Sequence, residues 1–241
     1  MKHLKTFIFL LVAFLFSSCF SSNDSPSYDE IDYMTIEMLG PTVERLIGDS
    51  NNQLYDPINP ELLRFKNNAG ETVYPERALI FFSYVAQEAN EQRRAKKIKL
   101  VSVSPIPVQD ITPNKESLDL ELMGVELYDV GKPSAANNYI TLRFSFKQLI
   151  DGSGVKAEDF ILYAENSEEN TLFLNFVDYR ENKTVLDVQP LSTVISYKLD
   201  PDVLMREYPN LDLSDSINIA ISYDKDQVGK TKLNPVKILL E

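Results

Sequence analysis

The one cysteine and the one histidine of this chain both lie near its amino terminus, at Cys19 and His3. Two lysines in the first five residues precede an apolar run at residues 7–16, and two serines then lead into the cysteine. A basic start, a short apolar core and small residues before a cysteine are typical of a secretory signal peptide that ends in lipid attachment. Because a membrane-spanning helix needs about 20 apolar residues, this run is too short to remain as an anchor. The sequence predicts that residues 1–18 are a signal peptide and that Cys19 carries a lipid.

An ordinary secretory signal followed by an incidental cysteine is the alternative interpretation. Phe16 stands three residues before Cys19, where lipoprotein signals usually have a leucine. The position of the only cysteine at the processing point nevertheless favours lipidation.

Signal cleavage would leave a mature chain without histidine and, once Cys19 is lipidated, without a thiol. Catalysis by a nucleophile with a histidine base, cysteine proteolysis and zinc sites of His or Cys ligands are therefore excluded. Carboxylates, Lys, Tyr, Ser and Thr remain as reactive groups. We expect no cofactor and no metal.

The mature chain is strongly acidic. Removing Lys2 and Lys5 leaves 22 basic residues against 36 acidic ones, so the formal charge changes from −12 to −14. Such a charge repels nucleic acid and anionic headgroups. We expect two kinds of partner, the membrane through the lipid on Cys19 and an unidentified protein or glycan, and we expect no binding of nucleic acid.

Short strands separated by turn residues predict a small barrel in the first half of the chain. Residues 19–32 are rich in Ser, Asp and Asn, which indicates a flexible tether. Residues 33–107 contain five strand-like segments and no convincing helix. These segments are 33–37, 61–66, 71–74, 78–85 and 98–103, with residues 67–70 as a hairpin loop closed by Gly70.

Prolines at 105, 107 and 113 interrupt this pattern and predict a domain boundary within residues 105–114. Residues 115–241 then contain seven strand-like segments, which suit an antiparallel β-sandwich. Asp200 and Pro201 predict the start of one helix over residues 201–208. The seven strand segments are 118–128, 139–147, 159–163, 171–179, 192–199, 216–223 and 236–240.

Three segments carry a resemblance to a known family. They are residues 62–65 (LLRF), 70–75 (GETVYP) and 216–221 (SINIAI), set between a lipoprotein signal and a sandwich-like second half. In this order they resemble the NigD-like lipoproteins of Bacteroidetes, from Cys19 to the carboxyl terminus. The resemblance implies an all-β fold with an amino-terminal OB-fold barrel and a carboxyl-terminal immunoglobulin-like sandwich. It also implies an envelope role, for which immunity against a bacteriocin has been suggested, but it assigns no site residues.

A cluster of cations stands out on this acidic chain. It consists of Arg93, Arg94, Lys96, Lys97 and Lys99, between the fourth and fifth predicted barrel strands. OB folds often bind ligands with this loop, so the cluster is a candidate contact for an anion or a glycan. The alternative is a solvated hairpin tip, since runs of charge are usually solvated.

Other candidate sites are weaker. Glu158, Asp159 and the acids at 165, 168 and 169 could serve a glycoside hydrolase, which needs only two carboxylates across a cleft. Residues 224–229 begin like a calcium loop, but Val228 and the absence of a late glutamate favour a hairpin turn. Asp215-Ser216-Ile217 matches the O-glycosylation pattern of Bacteroidetes envelopes, which makes Ser216 a candidate modification site.

Aromatic residues at strand spacing are expected to pack in the core. They are Tyr33, Phe81, Phe82, Tyr84, Phe144, Phe146, Phe173 and Phe176.

Taken together, these patterns favour a lipid-anchored, non-enzymatic protein of the cell envelope, at the outer membrane, on either its periplasmic or its surface face. Its role would be to bind a protein or glycan. A carboxylate-based enzyme acting on glycans is the alternative.

Overall fold

Alternating apolar and polar residues in the first half of the chain produce a closed barrel. The computed structural model describes residues 27–67, 69–86, 95–113, 127–148, 155–180, 189–225 and 228–240. The strands of this half are β1 (Glu30–Leu39), β2 (Thr42–Gly48), β3 (Leu54–Pro57), β4 (Phe65–Lys66), β5 (Thr72–Val73), β6 (Arg77–Tyr84) and β7 (Lys96–Ile106). Five of them close the barrel in the order β1-β2-β3-β7-β6.

The barrel has one parallel pair, β3 with β7, and its other neighbours are antiparallel. Alternate side chains point inward, so Met34, Leu46, Ile80, Phe82 and Ile98 fill the interior. This arrangement confirms the predicted five-stranded, OB-like barrel.

The membership of the barrel was predicted wrongly for two strands. Segments 61–66 and 71–74 form a separate hairpin of β4 and β5 beside a 3-10 turn at Pro60–Leu63, while β2 and β3 take their places. Strand β2 was missed because Gly40 and Pro41 interrupt its approach. Strand β3 was missed because Asp56-Pro57 suggested a turn, although proline is tolerated at the end of a strand. The hairpin loop does close at Gly70, which has a φ of +81°.

The first barrel strand also begins earlier than predicted. Strand β1 starts at Glu30, so the last three residues assigned to the tether belong to the sheet. Asp32 points into the barrel, and its polar character made this end of the strand resemble a linker.

The second half of the chain forms two five-stranded sheets packed face to face. Its strands are β8 (Val108–Asp110), β9 (Asp129–Val130), β10 (Ser134–Ala136), β11 (Tyr139–Phe146), β12 (Phe160–Glu168), β13 (Thr171–Asp178), β14 (Leu191–Lys198), β15 (Ile217–Lys225), β16 (Gly229–Lys232) and β17 (Val236–Ile238). The first sheet has the order β10-β11-β14-β8 with β9 on β11, and the second has the order β12-β13-β15-β16 with β17 on β15.

The predicted sandwich is therefore confirmed, with two differences. Short edge strands raise the number of described strands above the seven that were predicted, and residues 118–126 of the first predicted strand lie outside the described residues. The pairing is mixed, because β13 with β15 and β14 with β8 run parallel. The sequence prediction assumed that strands joined by short turns pair with each other, and such pairs are antiparallel. The two parallel pairs instead join strands that are far apart in the chain.

Aromatic side chains from both sheets meet in the sandwich core. The Phe144 ring lies 4.6 Å from the Phe160 ring and 4.8 Å from the Phe176 ring, each edge to face. The hydroxyl of Tyr197 in the first sheet donates a hydrogen bond of 2.8 Å to the Phe160 carbonyl in the second. These contacts hold the two sheets together.

The predicted helix is present as α1 (Pro201–Glu207). The Asp200 carboxylate accepts hydrogen bonds from the backbone amides of Asp202 and Val203, at 2.9 and 3.3 Å. Among the described residues, no helix has both the length and the apolar character needed to cross a bilayer.

The chain passes from the barrel to the sandwich inside the range predicted for the domain boundary, residues 105–114. Strand β7 runs to Ile106 and β8 begins at Val108, so a single residue, Pro107, separates the barrel from the sandwich. Ile111 then packs into the sandwich core. The prolines mark a change of sheet because they remove ladder donors, but the chain stays ordered through them.

A buried arginine lies where the barrel meets the sandwich. Arg77 of β6 has no solvent exposure and donates to the Asp49 carboxylate at 2.7 Å. From the sandwich, the Thr141 hydroxyl accepts a hydrogen bond from Arg77 at 2.9 Å, and the Tyr139 ring lies 4.9 Å from the guanidinium carbon. The two domains are thus joined by a polar network that is closed to water.

Candidate binding surface

Three of the five predicted contact cations lie in strand β7. Lys96 and Lys99 are exposed, and Lys97 is half-buried. Lys96 and Lys97 were expected in a loop before the strand predicted at 98–103, but β7 begins at Lys96 because β3 pairs with it from Tyr55 onward. Arg93 and Arg94 lie outside the described residues. We call Lys96, Lys97 and Lys99 the basic segment.

An exposed tyrosine sits beside the basic segment. The Lys96 ammonium lies 5.3 Å from the centre of the Tyr84 ring, within the range of a cation–π contact. Tyr84 is the last residue of β6 and remains 42% exposed. The expectation that Tyr84 packs in the core was therefore wrong, because the ring lies at the end of the barrel, beyond the interior that Phe82 fills.

Two carboxylates hold Tyr84 in place. The Asp29 carboxylate accepts a hydrogen bond of 2.8 Å from the Tyr84 amide, and the Glu30 carboxylate accepts one from the Tyr84 hydroxyl. Burial of the phenol, assisted by Glu30, raises the pKa of Tyr84 above its ordinary value. The ring is consequently a neutral, fixed platform next to a cation. This surface can contact an anionic or aromatic group by charge and by stacking.

The outer wall of the barrel carries an apolar patch. The Tyr28 ring packs edge to face on Phe81, with ring centres 5.0 Å apart, and Ile31 is the cross-strand partner of Phe81. Tyr28 and Ile31 are 45% and 42% exposed. Phe81 is half-buried, which corrects its assignment to the core. Of the other predicted core aromatics, Phe82, Phe144, Phe146 and Phe176 are buried, whereas Tyr33 and Phe173 are only half-buried.

A buried carboxylate closes the end of the barrel near the basic segment. Asp32 accepts hydrogen bonds from the Ser50 hydroxyl at 2.8 Å and the Ser50 amide at 3.2 Å. Burial raises the pKa of Asp32 above its ordinary value. A Cβ added at Gly48 would lie 2.5 Å from an Asp32 carboxylate oxygen and 2.9 Å from the Tyr55 ring, so this corner requires glycine. Sequence patterns missed the cluster, because it depends on the register of β1, β2 and β3.

The acids considered for glycan hydrolysis fall into two groups. Glu158 and Asp159 form a 3-10 turn before β12, and Asp159 accepts a hydrogen bond from the Lys156 amide. Glu165 lies in the second half of β12, and Glu168 and Glu169 lie at or just beyond its end. At roughly 3.3 Å per residue, Asp159 is about 20 Å from Glu165 and about 30 Å from Glu168 along the strand. A catalytic pair needs about 5–10 Å, so no pair spans the two groups.

The remaining predicted sites stay predictions. Ser216 is half-buried directly before β15, and its carbonyl accepts a hydrogen bond of 2.8 Å from Asn170. Two residues of the calcium-like loop, at 226 and 227, lie outside the described residues, as does Cys19. Among the residues that the structure describes, no three His, Cys, Asp or Glu side chains are grouped as metal ligands.

A groove beside helix α1 was not predicted. Its volume is about 760 Å³, within the size range of ligand pockets. Met205 is 51% exposed in this groove. The only sequence signal for the groove was a proline at or just beyond each end of the helix. The lining comes from α1, the loop that follows it and the carboxyl-terminal segment: Pro201, Met205, Pro209, Asn210, Leu211, Asp212, Leu213, Ser214 and Leu240.

Comparison by sequence alone finds no relative. No family model matches the chain, and no curated protein sequence matches it.

Comparison by structure finds proteins of similar fold from the Bacteroides group. A predicted toxin-related protein from Parabacteroides distasonis is 16% identical, with a TM-score of 0.59 over 86% of this chain and 92% of that one. A predicted lipoprotein from Bacteroides fragilis is 12% identical, with a TM-score of 0.54 over 88% and 98%. A NigD-like immunity protein from Bacteroides caccae is 15% identical, with a TM-score of 0.50 over 88% and 92%.

The matches cover nearly the whole of each relative, so the likeness includes both the barrel and the sandwich. At these identities the likeness concerns the fold. The chain has the all-β fold of NigD-like proteins of the Bacteroides group, as its sequence resemblance predicted.

Proposed function

We propose that this chain is a lipid-anchored, non-enzymatic protein of the cell envelope that binds an anionic partner through the basic segment and Tyr84. The lipid on Cys19 would hold it at the outer membrane. The partner would be a protein or a glycan carrying negative charge. An immunity role, in which that partner is a toxin, is one form of this proposal, and the NigD-like relative supports it.

The observation that carries the proposal is the contact between Lys96 and Tyr84. Both side chains are exposed, yet the ammonium lies 5.3 Å from the ring centre. Aromatic side chains are enriched at protein interfaces, and an ordered cation beside one loses little further freedom on binding. Lys99 adds a second exposed cation on the same strand. This is a concentration of positive charge on a protein of net charge −12.

The enzyme alternative has less support. Glu158 and Asp159 precede β12, whereas Glu165, Glu168 and Glu169 lie in its second half or just beyond it, and Glu165 is paired with Lys230 at 3.8 Å. The predicted lipoprotein and the NigD-like relative favour an envelope binding role over catalysis.

A capture experiment with matched charge reversals tests the proposal. The Lys96→Glu/Lys99→Glu variant removes the two exposed cations of the basic segment, of which Lys96 lies beside Tyr84 and Lys99 lies opposite Ser83. The Lys156→Glu/Lys237→Glu variant makes the same change of charge at exposed positions on the sandwich. We expect the first variant to lose at least tenfold in capture of the envelope partner and the control to retain it. Equal capture by both variants would overturn the proposal.

The side of the outer membrane is a separate question. Protease treatment of intact cells degrades a surface-exposed protein and spares a periplasmic one. A protein that is digested only after the outer membrane is opened acts in the periplasm.

A further inference from the structure

We infer that the apolar patch on the outer wall of the barrel lies against the lipid bilayer that carries the anchor. The patch consists of Tyr28, Ile31 and Phe81. This inference rests on the lipid anchor of the proposed function. It adds an orientation, because the barrel would meet the membrane with this wall and not with any other.

The apolar outer face of the barrel continues beyond the patch. Leu79 on β6 and Tyr33 on β1 are cross-strand partners on the same outer face, and both are half-buried. Further along the same strands, Arg77 donates to Thr35 of the barrel and to Thr141 of the sandwich, so the sandwich adjoins this end of the face. The apolar outer face therefore runs from the end that meets the sandwich to the exposed patch.

The position of the tether favours the membrane as the occupant. The described chain begins at Ser27, whose carbonyl accepts a hydrogen bond of 3.5 Å from the Ser83 hydroxyl, next to the patch. Seven residues lie between Cys19 and Ser27, which makes eight steps along the backbone. Fully extended, they span at most about 29 Å, at roughly 3.6 Å per residue. The patch therefore lies on the part of the barrel that the anchor can hold closest to the lipid.

The chemistry of the patch fits the headgroup region. Tyrosine combines an apolar ring with a polar hydroxyl and is enriched at the membrane surface, and Phe81 adds an apolar ring beside it. The nearby acids Asp29 and Glu30 are both hydrogen-bonded to Tyr84. The anchor supplies a high local concentration, so a weak intrinsic affinity suffices.

The absence of tryptophan from the chain makes a direct test possible. The Phe81→Trp variant places one fluorophore in the patch. The Leu239→Trp variant places one at a 50% exposed position of the sandwich as a matched control. Both variants, isolated with their own lipid, are reconstituted in phosphatidylcholine vesicles with and without brominated phosphatidylcholine, which quenches only nearby indoles.

We expect brominated lipid to reduce the emission of the Phe81→Trp variant at least twofold and to leave the Leu239→Trp variant unchanged. Adding Ile31→Asp to the Phe81→Trp variant should remove the quenching while the protein still floats with the vesicles. An unquenched Phe81→Trp variant on floating vesicles would overturn the inference and leave the patch to a protein partner.

Failure of the anchor is distinguishable from failure of the patch. A protein isolated without lipid and unable to float would contradict the anchor in the proposed function. Coupling the Cys19 thiol, the only one in the chain, to a maleimide lipid then supplies an anchor chemically. The same quenching comparison still supports or overturns the contact of the patch with the bilayer.

Discussion

Arg77 of the barrel and Asp49, which follows β2, form an ion pair that is closed to solvent. Their side chains are 0% and 1% exposed, and both guanidinium nitrogens at the fork donate to the carboxylate. From the sandwich, Ser134 donates to the same carboxylate at 3.0 Å, and the Thr141 hydroxyl accepts from Arg77. The pair therefore belongs to both domains, and it fixes how the barrel sits on the sandwich.

The Arg77→Met substitution should destabilise the protein strongly. It leaves the Asp49 carboxylate buried without its cation, which typically costs about 3–5 kcal/mol. Urea unfolding, monitored by circular dichroism, measures the change in free energy of unfolding. Arg45→Met, which removes a solvent-exposed pair with Glu37, should cost about 1 kcal/mol or less.

The double variant Arg77→Met/Asp49→Leu sharpens this prediction. Because it leaves no uncompensated charge, we expect a smaller loss than from Arg77→Met alone. A double variant whose loss of unfolding free energy equals the sum of the losses from Arg77→Met alone and Asp49→Leu alone would contradict the coupling between these residues.

Asp32→Asn should change the pH dependence of stability. Burial raises the pKa of Asp32 in the folded state, so the folded protein binds this proton more tightly than the unfolded chain does. The stabilising contribution is complete below the unfolded value near 3.8 and is lost as the pH rises through the raised folded value. We expect Asp32→Asn to be more stable than the wild type at neutral pH, with the difference vanishing in acid.

Asp212→Asn is the control of opposite sign. Hydrogen bonds from Ser214 lower the pKa of Asp212, so its contribution is present at neutral pH and is lost in acid. This variant should be no more stable than the wild type at neutral pH. Thermal unfolding across the acid range measures both variants, and an Asp32→Asn variant that is less stable at neutral pH would refute the prediction.

Tyr197→Phe should weaken the contact between the two sheets. The substitution removes the hydroxyl that donates to the buried Phe160 carbonyl, and we expect a loss of about 1–2 kcal/mol in the free energy of unfolding. Tyr208→Phe removes a similar bond to the Pro113 carbonyl in a half-buried setting, so it should cost less. Equal losses of unfolding free energy from Tyr197→Phe and Tyr208→Phe would mean that burial does not set the strength of these hydrogen bonds.

Much of the fold could be predicted from local patterns. Strands β11 and β15 follow from clean alternation, and α1 follows from Asp200 and Pro201 at its start. The barrel strands β2 and β3 could not be predicted, because their polar residues and Pro57 resemble turns when taken alone. They are strands because long-range pairing, of β3 with β7 above all, satisfies their backbone groups.

The candidate site was predictable only in part. The cations are visible as a cluster, but the contact between Lys96 and Tyr84 depends on the register of β6 and β7, which puts Tyr84 opposite Ile98. Exposure of Tyr84 depends on where the barrel interior ends. The Asp32, Gly48 and Tyr55 corner needs three strands in register, two of which were not predicted.

Cys19→Ala should separate anchoring from folding. Without the sulfur no lipid can attach, so the variant should lose incorporation of labelled fatty acid and move from the membrane fraction to the soluble fraction. Its unfolding transition should be unchanged, because Cys19 precedes the first barrel strand. Continued fatty-acid labelling of this variant would contradict lipidation at that residue.

Site-specific photo-crosslinking in living cells tests the central claim, that the basic segment binds a partner at the envelope. A photoreactive residue replaces Lys96 in one strain and Lys156 on the sandwich in another. We predict one discrete crosslinked product from position 96, none from position 156, and a strong reduction when the Cys19→Ala change is added. The same products from both positions, or none from position 96, would contradict the account.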